Sequence, residues 1–381
     1  MTAESDPLAE ARALRPLVEA EADAVDRELT LTRPLIDAFT RTHLFHLMVP
    51  REYGGLEADS DTILDVFEEL AHQDASIGWT QMANASATAY AAFLAPEAAR
   101  KMVGGQPGNV FAGQFAPRGR VVREPGGYRI AGDYGFGSGC AHAAFIGGGG
   151  FVLHDGTPEV LDSGLPAYLC FFAARDHIEF RGGWDVMGLR GTGSFDYSFP
   201  EQHVDAERTF FLFESTVRAG GPLYHLGAAL LAGLGHAGWG LGVARRALDE
   251  IEAIARAGRA RLGAAPLADQ QFFQRELGEQ MLALRSVRLL VHDVFGRAID
   301  RVSRGDGLDK ASSDEIMASV AYMTQVAQDV ALFAYRSAGS DGLRNPSLVQ
   351  RAFRDMFTGG QHLFVDRRSY ESLAQDALAI A

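Results

Sequence analysis

The sequence is poor in cysteine, in basic clusters and in long apolar runs, and each absence narrows the possible function. Only Cys140 and Cys170 occur among 381 residues, too few for a disulfide framework, so we expect two free thiols in a cytoplasmic protein. The formal net charge of −14 disfavours nucleic acid or an anionic membrane surface as a partner. No apolar run reaches the roughly 18 residues of a membrane span, and the acidic N-terminus lacks the apolar core of a signal peptide.

Two kinds of ligand site are also unsupported by the sequence. The 11 histidines show no HExxH, HxxxH or CxxC spacing, so we predict no metal site. The GGGG run at 147–150 follows a predicted strand but does not open a helix. It therefore does not match the glycine fingerprint of a dinucleotide-binding βαβ unit. The chain carries no nicotinamide-binding motif of its own.

The order of helical and strand patterns predicts three domains. Residues 1–108 form helices, and the segment 74–95 is apolar on all sides, which predicts a buried helix. Residues 109–213 hold short β-rich segments separated by Gly and Pro turns, which predict an antiparallel sheet or barrel. Residues 214–381 return to long amphipathic helices and predict a four-helix bundle. The expected fold is mainly α with a central β-barrel.

One stretch of the middle domain stands out. Tyr128–Gly139, YRIAGDYGFGSG, alternates polar and apolar residues and then breaks into glycine, aromatic and serine. The alternation predicts a half-buried strand, and the glycines allow the backbone to turn or to approach something flat. On this pattern alone the stretch is one arm of a hairpin.

Four segments in this order resemble the acyl-CoA dehydrogenase superfamily, over nearly the whole chain. They are VPREYGG at Val49–Gly55, the glycine-rich strand pair ending at Ser138-Gly139, WDVMGLRGTGS at Trp184–Ser194, and the Arg354–Asp355 pair. The resemblance implies a helical N-terminal domain, a middle β-barrel and a C-terminal four-helix bundle, in a homotetramer built as a dimer of dimers. Flavin is expected between the barrel and the bundle.

Three further segments are similar to two-component flavin-dependent monooxygenases, such as the oxygenase components of p-hydroxyphenylacetate hydroxylase and related aromatic, indole and sulfur oxygenases. They are ELAHQDASIGW, GDYGFGSGCAHA and RDMFTGGQH. This likeness implies reduced FAD or FMN, with FAD slightly preferred, and O2. It also implies a separate NAD(P)H:flavin reductase as a transient partner. The expected intermediate is a flavin C4a-hydroperoxide, protected from water.

The carboxylate base of an acyl-CoA dehydrogenase is not where the resemblance would place it. Counting from Asp355 puts Leu363 at one usual position, and the other, within Leu226–Gly238, contains no acid. Glu371 is a poor candidate for the missing base, because it lies about two helical turns beyond Leu363. Dehydrogenation with a relocated base remains an alternative, as does a catalytically silent flavin-fold subunit.

The resemblance implies two catalytic candidates. Ser138 is expected beside flavin N5, with Phe136 against the ring; the other interpretation of Ser138 is a turn-stabilising hydroxyl. His362 is expected near the substrate, since imidazole titrates near neutrality and can take a phenol or indole proton or hold the peroxide. A core or capping histidine is an equal alternative at this position.

The remaining site residues follow from the family's geometry. The predicted flavin contacts are Gln114, Phe115, Phe136, Ser138, Trp184, Arg190, Thr192, Arg259, Gln270, Gly359, Gly360 and Gln361. Of these, Arg259 and Gln270 are expected to reach the pyrophosphate of a neighbouring subunit's flavin, because a guanidinium matches phosphate oxygens. The predicted substrate contacts are Trp79, Asn84, Tyr224 and His225. The apolar segment around Asn84 favours an indole, a polyketide or another bulky ring.

Overall fold

The computed structural model describes residues 6–379, and helices lie on both sides of a β-rich middle segment. The N-terminal helices are α1 Pro7–Ala13, α2 Arg15–Glu28, α3 Arg33–Arg41, α4 Ser60–Gln73, α5 Ala75–Thr88 and α6 Pro96–Val103. Capping follows the sequence: the Asp59 and Asp74 carboxylates accept backbone N–H groups at the first turns of α4 and α5. Helix α5 is buried on nearly every side, which confirms the prediction made from its apolar sequence.

Ten strands form the middle segment. They are β1 Phe111–Pro117, β2 Arg120–Glu124, β3 Gly127–Gly137, β4 Phe145–Phe151, β5 Leu153–His154, β6 Thr157–Pro158, β7 Tyr168–Ala174, β8 Glu179–Gly182, β9 Phe195–Asp205 and β10 Thr209–Phe211. One four-stranded sheet has the order β1-β4-β7-β10 and the other β2-β3-β9-β8, while β5 and β6 pair alone. The GGGG run lies inside β4 and begins no helix.

The two sheets are open, so the prediction of a closed barrel is wrong. Strands β1 and β4 also run parallel, where antiparallel pairing was expected. The reason is the connection between them, because the chain leaves the first sheet after β1 to form β2 and β3 and then returns. Tyr134 and Tyr197 join the sheets: their hydroxyls donate to Gly149 O and Gly147 O at 2.6 and 2.8 Å.

The C-terminal helices are α7 Ala228–Arg256, α8 Gln271–Ser303, α9 Lys310–Ala338, α10 Leu348–Gly359 and α11 Arg368–Ala377. Helix α7 is central, and its small residues allow close packing. A Cβ added to Gly242 would lie 2.2 Å from the Glu68 carbonyl oxygen, so only glycine lets α4 approach this closely. None of the helices in residues 6–379 combines the length and apolarity needed to cross a membrane.

A buried ion cluster ties α4 to its neighbours. Arg245 of α7 donates to Glu68 Oε1 at 2.8 Å and to Glu69 Oε2 at 2.9 Å. Arg288 of α8 donates to Glu68 Oε2 at 2.8 Å. Arg15 of α2 donates to Glu69 Oε1 at 2.7 Å. Both carboxylates are buried, so each needs its partners to offset the loss of hydration.

Replacing Arg245 with methionine should lower the free energy of unfolding by about 3 kcal/mol. This is the lower end of the range for a broken buried ion pair, because two other arginines still contact the carboxylates. Denaturant unfolding monitored by circular dichroism measures this loss. Arg297→Met is the matched control, because Arg297 also pairs with two carboxylates but is about half exposed, and it should cost under about 1 kcal/mol. Equal losses for the two variants would contradict the role given to burial.

Candidate active site

The end of β3 turns one aromatic side chain outward and one hydroxyl inward. The pairing of β3 with β9 slips between Tyr134 and Gly137, which is a β-bulge. Phe136 within the bulge has a left-handed backbone (φ 60°) and is 61% exposed, edge-on to Trp184 at 6.2 Å between ring centroids. Ser138, two residues after Phe136, is directed into the protein. The hairpin interpretation of this stretch is therefore sound, and its bulge places the two side chains.

Ser138 belongs to a chain of four polar side chains. The Trp79 indole N–H donates to Ser138 Oγ at 3.0 Å, and Ser138 Oγ lies 2.7 Å from Ser194 Oγ. Ser194 Oγ in turn lies 2.7 Å from Thr192 Oγ1, and the Thr192 hydroxyl donates to Leu189 O at 2.8 Å. The chain links helix α5, the end of β3 and the loop before β9.

Helix α10 fixes the far end of this chain. The buried carboxylate of Asp355 accepts the Leu189 N–H at 2.5 Å. Leu189 has a left-handed backbone (φ 55°), and its carbonyl accepts the Trp184 indole N–H at 2.9 Å as well as the Thr192 hydroxyl. Burial, reinforced by the nearby Asp74 charge, raises the pKa of Asp355 to about 7.

Trp79 also belongs to a second cluster, which consists of two tryptophans and two histidines. The Trp79 ring lies edge-on to Trp239 at 4.7 Å, to His362 at 5.7 Å and to His236 at 5.8 Å, measured between centroids. The two imidazoles stack on each other at 5.8 Å. Gly359 packs against both indoles, which places the end of α10 at this cluster.

The hydrogen-bond partners assign the tautomers of the two histidines. The Thr324 hydroxyl donates to Val320 O, so His236 must donate its Nε2–H to Thr324 Oγ1 at 3.1 Å. His236 Nδ1 is then a buried acceptor with no hydrogen-bond partner within the described chain. His362 Nδ1 accepts the Phe364 N–H at 3.4 Å, which leaves its hydrogen on Nε2. Burial lowers the pKa of His236 to about 3, so this imidazole is neutral at pH 7, whereas the His362 side chain is exposed.

Two predicted flavin contacts lie next to each other on β1 and face differently. The Gln114 N–H donates to the Tyr197 hydroxyl at 2.6 Å, while its side-chain Oε1 is buried without a partner in residues 6–379. The Phe115 ring packs edge-on to Tyr90 and Phe172 at 5.2 and 5.4 Å. Gln114 is therefore the one of the two with unused side-chain hydrogen-bonding capacity.

Other predicted flavin contacts lie away from Ser138. Arg190 faces α2, with its guanidinium 3.7 Å from the Asp26 carboxylate. Arg259 pairs with Asp341 at 3.1 Å, and the Gln270 side chain donates to Ala265 O at 2.7 Å, both near the α7–α8 connection. Gly360 and Gln361 follow α10 directly, and Gly360 packs against Gln328. The assignments of these residues to flavin stay predictions.

Two of the four predicted substrate residues make structural contacts of another kind, and a third is exposed. Asn84 donates to Phe111 O at 3.0 Å, and its Oδ1 lies 3.0 Å from His142 Nε2. Its side chain also fills the space beside Gly139 (φ 71°), where a Cβ would lie 2.3 Å from Oδ1. The buried Tyr224 hydroxyl donates to Met48 O at 2.8 Å, and His225 is exposed at the start of the bundle. Their role in substrate binding stays a prediction. Trp79 donates to the Ser138 side chain, and the Asn84 amide donates to the Ser138 backbone carbonyl at 3.4 Å.

Comparison with known proteins agrees with this architecture. Residues 10–103 match the acyl-CoA dehydrogenase N-terminal domain and residues 234–367 the acyl-CoA dehydrogenase C-terminal domain. Indole-3-acetate monooxygenase of Pseudomonas putida is 30% identical over 378 residues, which cover 96% of this chain and 94% of that protein. The chain belongs to the flavin-dependent monooxygenases of the acyl-CoA dehydrogenase superfamily.

Two further relatives extend the comparison. The flavin-dependent monooxygenase oxygenase subunit HsaA of Mycobacterium tuberculosis is 30% identical over 181 residues, 48% of this chain and 44% of that one. XiaF from Streptomyces sp., solved in complex with FADH2 and glycerol, superimposes with a TM-score of 0.89 at 21% identity, covering 99% of this chain and 96% of XiaF. The enzyme therefore shares its fold with XiaF along nearly its whole length.

His236 is the main site residue that the sequence interpretation missed. The sequence interpretation notes that the segment Leu226–Gly238 contains no acid and assigns no role to the histidine in it. A signal was present, because His236 and Trp239 are three residues apart and so lie on one face of a helix otherwise built from small residues. The sequence interpretation includes Ser194 only as the last residue of the Trp184–Ser194 segment, without a role for its hydroxyl.

Acid should destabilise the enzyme through its buried neutral histidines. The folded pKa of His236 is depressed, so its contribution is present above pH 6.5 and is lost as pH falls, because only the unfolded state then takes up the proton. Between pH 7 and pH 5 this one residue should cost about 2 kcal/mol. His236→Gln should remove that part of the pH dependence, measured by urea unfolding at the two pH values. His154→Gln, at an exposed position, should leave the pH dependence unchanged, and an unaltered slope in His236→Gln would contradict the assignment.

Proposed function

We propose that the enzyme is the oxygenase component of a two-component flavin-dependent monooxygenase. It receives reduced flavin from a separate NAD(P)H:flavin reductase. It then inserts one atom of O2 into an aromatic or heteroaromatic substrate, indole- or polyketide-like, while the other atom leaves as water. The likeness to indole-3-acetate monooxygenase supports an aromatic substrate.

The observation that carries this proposal is the cluster of Trp79, His236 and His362. Of its two imidazoles, that of His236 is buried and neutral at pH 7, and that of His362 beside it is exposed. Removing the α-proton of an acyl thioester requires a carboxylate base, which neither position known from the dehydrogenases supplies here. Flat aromatic surfaces and neutral hydrogen-bonding groups suit an aromatic ring bearing an N–H or O–H.

The residues around Ser138 fit a flavin on three observations. Gln114 Oε1 is a buried acceptor without a partner among the described residues, which suits an N–H of the flavin pyrimidine edge. Phe136 and Trp184 present exposed and half-buried aromatic surface beside the end of β3. Ser138 adds a hydroxyl expected at flavin N5. Bound reduced flavin supplies the two electrons that activate O2.

The two imidazoles would divide the polar contacts to substrate and oxygen. His236 Nδ1 offers a lone pair that can accept the N–H or O–H of the substrate, because Thr324 holds the hydrogen of this ring on Nε2. His362 offers Nε2–H as a donor, because the Phe364 N–H occupies its Nδ1. One acceptor and one donor side by side orient a ring without transferring a charge into the cluster.

We also propose a cytoplasmic homotetramer, a dimer of dimers, that prefers FAD over FMN. The exposed apolar side chains of α8, Phe272, Met281, Leu282 and Leu289, supply a surface for another subunit. Arg259 and Gln270, at the α7–α8 connection, are the candidates for the pyrophosphate of a neighbouring subunit's flavin. Both cysteines are free and buried, which agrees with a reducing compartment.

The direct test combines the purified enzyme with a flavin reductase, NADH, FAD and an indole or phenol substrate. Oxygen-dependent formation of a product carrying one atom of 18O from 18O2 is the expected result, measured by mass spectrometry. Omitting the reductase while adding chemically reduced flavin should still give one turnover. Anaerobic, dye-coupled oxidation of an acyl-CoA would instead support the dehydrogenase alternative, and product without label would contradict oxygen transfer.

Ser138→Ala should bind flavin and uncouple the reaction. Loss of a hydrogen bond worth about 1.4 kcal/mol at flavin N5 should raise the ratio of H2O2 released to product formed roughly tenfold. The ratio is measured with a peroxide assay beside product chromatography. Ser138→Thr retains the hydroxyl and should remain close to the wild-type ratio. If Ser138→Ala couples as well as the wild type, Ser138 does not contact the reacting edge of the flavin.

A further inference from the structure

We propose that the hydrogen-bond chain from Leu189 to Ser138 fixes Ser138 as an acceptor, and that Thr192 and Ser194 are thereby positioning residues that make the enzyme select reduced over oxidised flavin. The inference rests on the proposed function, because it takes Ser138 as the residue at flavin N5. The direction of the hydrogen bonds is set by the groups at the two ends of the chain, and the presence of a serine alone does not determine it.

The direction follows from counting hydrogens from the far end. A carbonyl oxygen only accepts, so the single hydrogen of the Thr192 hydroxyl goes to Leu189 O. The contact between Thr192 and Ser194 must then use the hydrogen of Ser194, and the contact between Ser194 and Ser138 the hydrogen of Ser138. Each hydroxyl donates towards Leu189, and none of the three has a second hydrogen to offer.

Trp79 closes the other end of the chain. Its indole nitrogen is a donor only, and it occupies one lone pair of Ser138 Oγ. Ser138 therefore keeps one lone pair and no free hydrogen. A group that approaches Ser138 from the flavin side meets an acceptor.

The two redox states of flavin differ at this atom. Reduced flavin carries N5–H, which donates to the free lone pair of Ser138. Oxidised flavin carries only a lone pair at N5, and two facing acceptors leave a polar contact unmade in a buried site. An unmade buried hydrogen bond costs enough to change affinity tenfold or more. The same contact retains the hydrogen on N5, which the oxygen chemistry requires.

Leu189 is a strong end point for the chain. Its N–H donates to the Asp355 carboxylate at 2.5 Å, and its carbonyl accepts three donors: the Thr192 hydroxyl, the Thr192 backbone N–H at 3.3 Å and the Trp184 indole N–H. The carbonyl remains satisfied by Trp184 when the Thr192 hydroxyl is removed. A valine at position 192 therefore changes the direction of the chain without leaving this carbonyl unpaired.

Thr192→Val is the decisive variant. Without the Thr192 oxygen, the Ser194 hydrogen turns to Ser138, and the Ser138 hydrogen becomes available to flavin N5. The ratio of the dissociation constant for oxidised FAD to that for FADH2 should fall at least tenfold, measured by anaerobic fluorescence titration of the intact enzyme with each form. The midpoint potential of bound flavin should fall by about 30 mV per tenfold change for this two-electron couple. Ser194→Ala should lower the ratio in the same direction.

Two controls separate direction from packing. Thr192→Ser keeps the hydroxyl and should restore the wild-type ratio. Ser198→Ala removes another buried hydroxyl of β9, which donates to Asp133 at 2.7 Å outside the chain, and should not change the ratio. An unchanged ratio in Thr192→Val, or a wild-type enzyme that binds oxidised FAD as tightly as FADH2, overturns the inference. A wild-type enzyme that binds neither form of flavin overturns the proposed function instead.

Discussion

A single buried contact between two distant parts of the chain supports the site. Asp355, near the end of α10, holds the backbone of Leu189 in a loop 166 residues earlier. That contact keeps Leu189 in a left-handed conformation, and only then does its carbonyl face both Trp184 and Thr192. The arrangement of Ser194 and Ser138 follows from there. The C-terminal bundle thus sets the chemistry of a serine in the middle domain.

Close packing around α7 explains why the His236 imidazole of the second cluster stays neutral. Gly242 and the neighbouring glycines bring α4 and α5 against α7, so His236 has almost no contact with water. An imidazole in such a place keeps a lone pair and cannot hold a proton at pH 7. Glu68 and Arg245 of the same helices pair with each other in the ion cluster further along α7. Separation of the two environments leaves one end of α7 suited to neutral aromatic ligands.

Sequence patterns identified what depends on local or periodic features. The buried helix at 75–88 and the half-buried strand within Tyr128–Gly139 both follow from residue spacing and side-chain chemistry. The closed barrel failed because sheet closure depends on which distant strands pair, which spacing does not encode. The prediction of Asn84 as a substrate contact rests on polarity alone, and the structure shows in addition that its amide joins α5 to β1. A role for His236 cannot be predicted from the absence of an acid in its segment, because a neutral imidazole is also a proton acceptor.

The direction of a hydrogen-bond chain is a property of the whole site. Serine and threonine donate or accept with equal ease, so the sequence S-G followed by R-G-T-G-S states only that hydroxyls are available. Direction is set by the two ends, where a carbonyl can only accept and an indole can only donate. In this enzyme those ends are Leu189 and Trp79, from different domains. A fold that fixes both ends gives three interchangeable hydroxyls one common direction, and this direction is the basis of the proposed selection between two oxidation states of the cofactor.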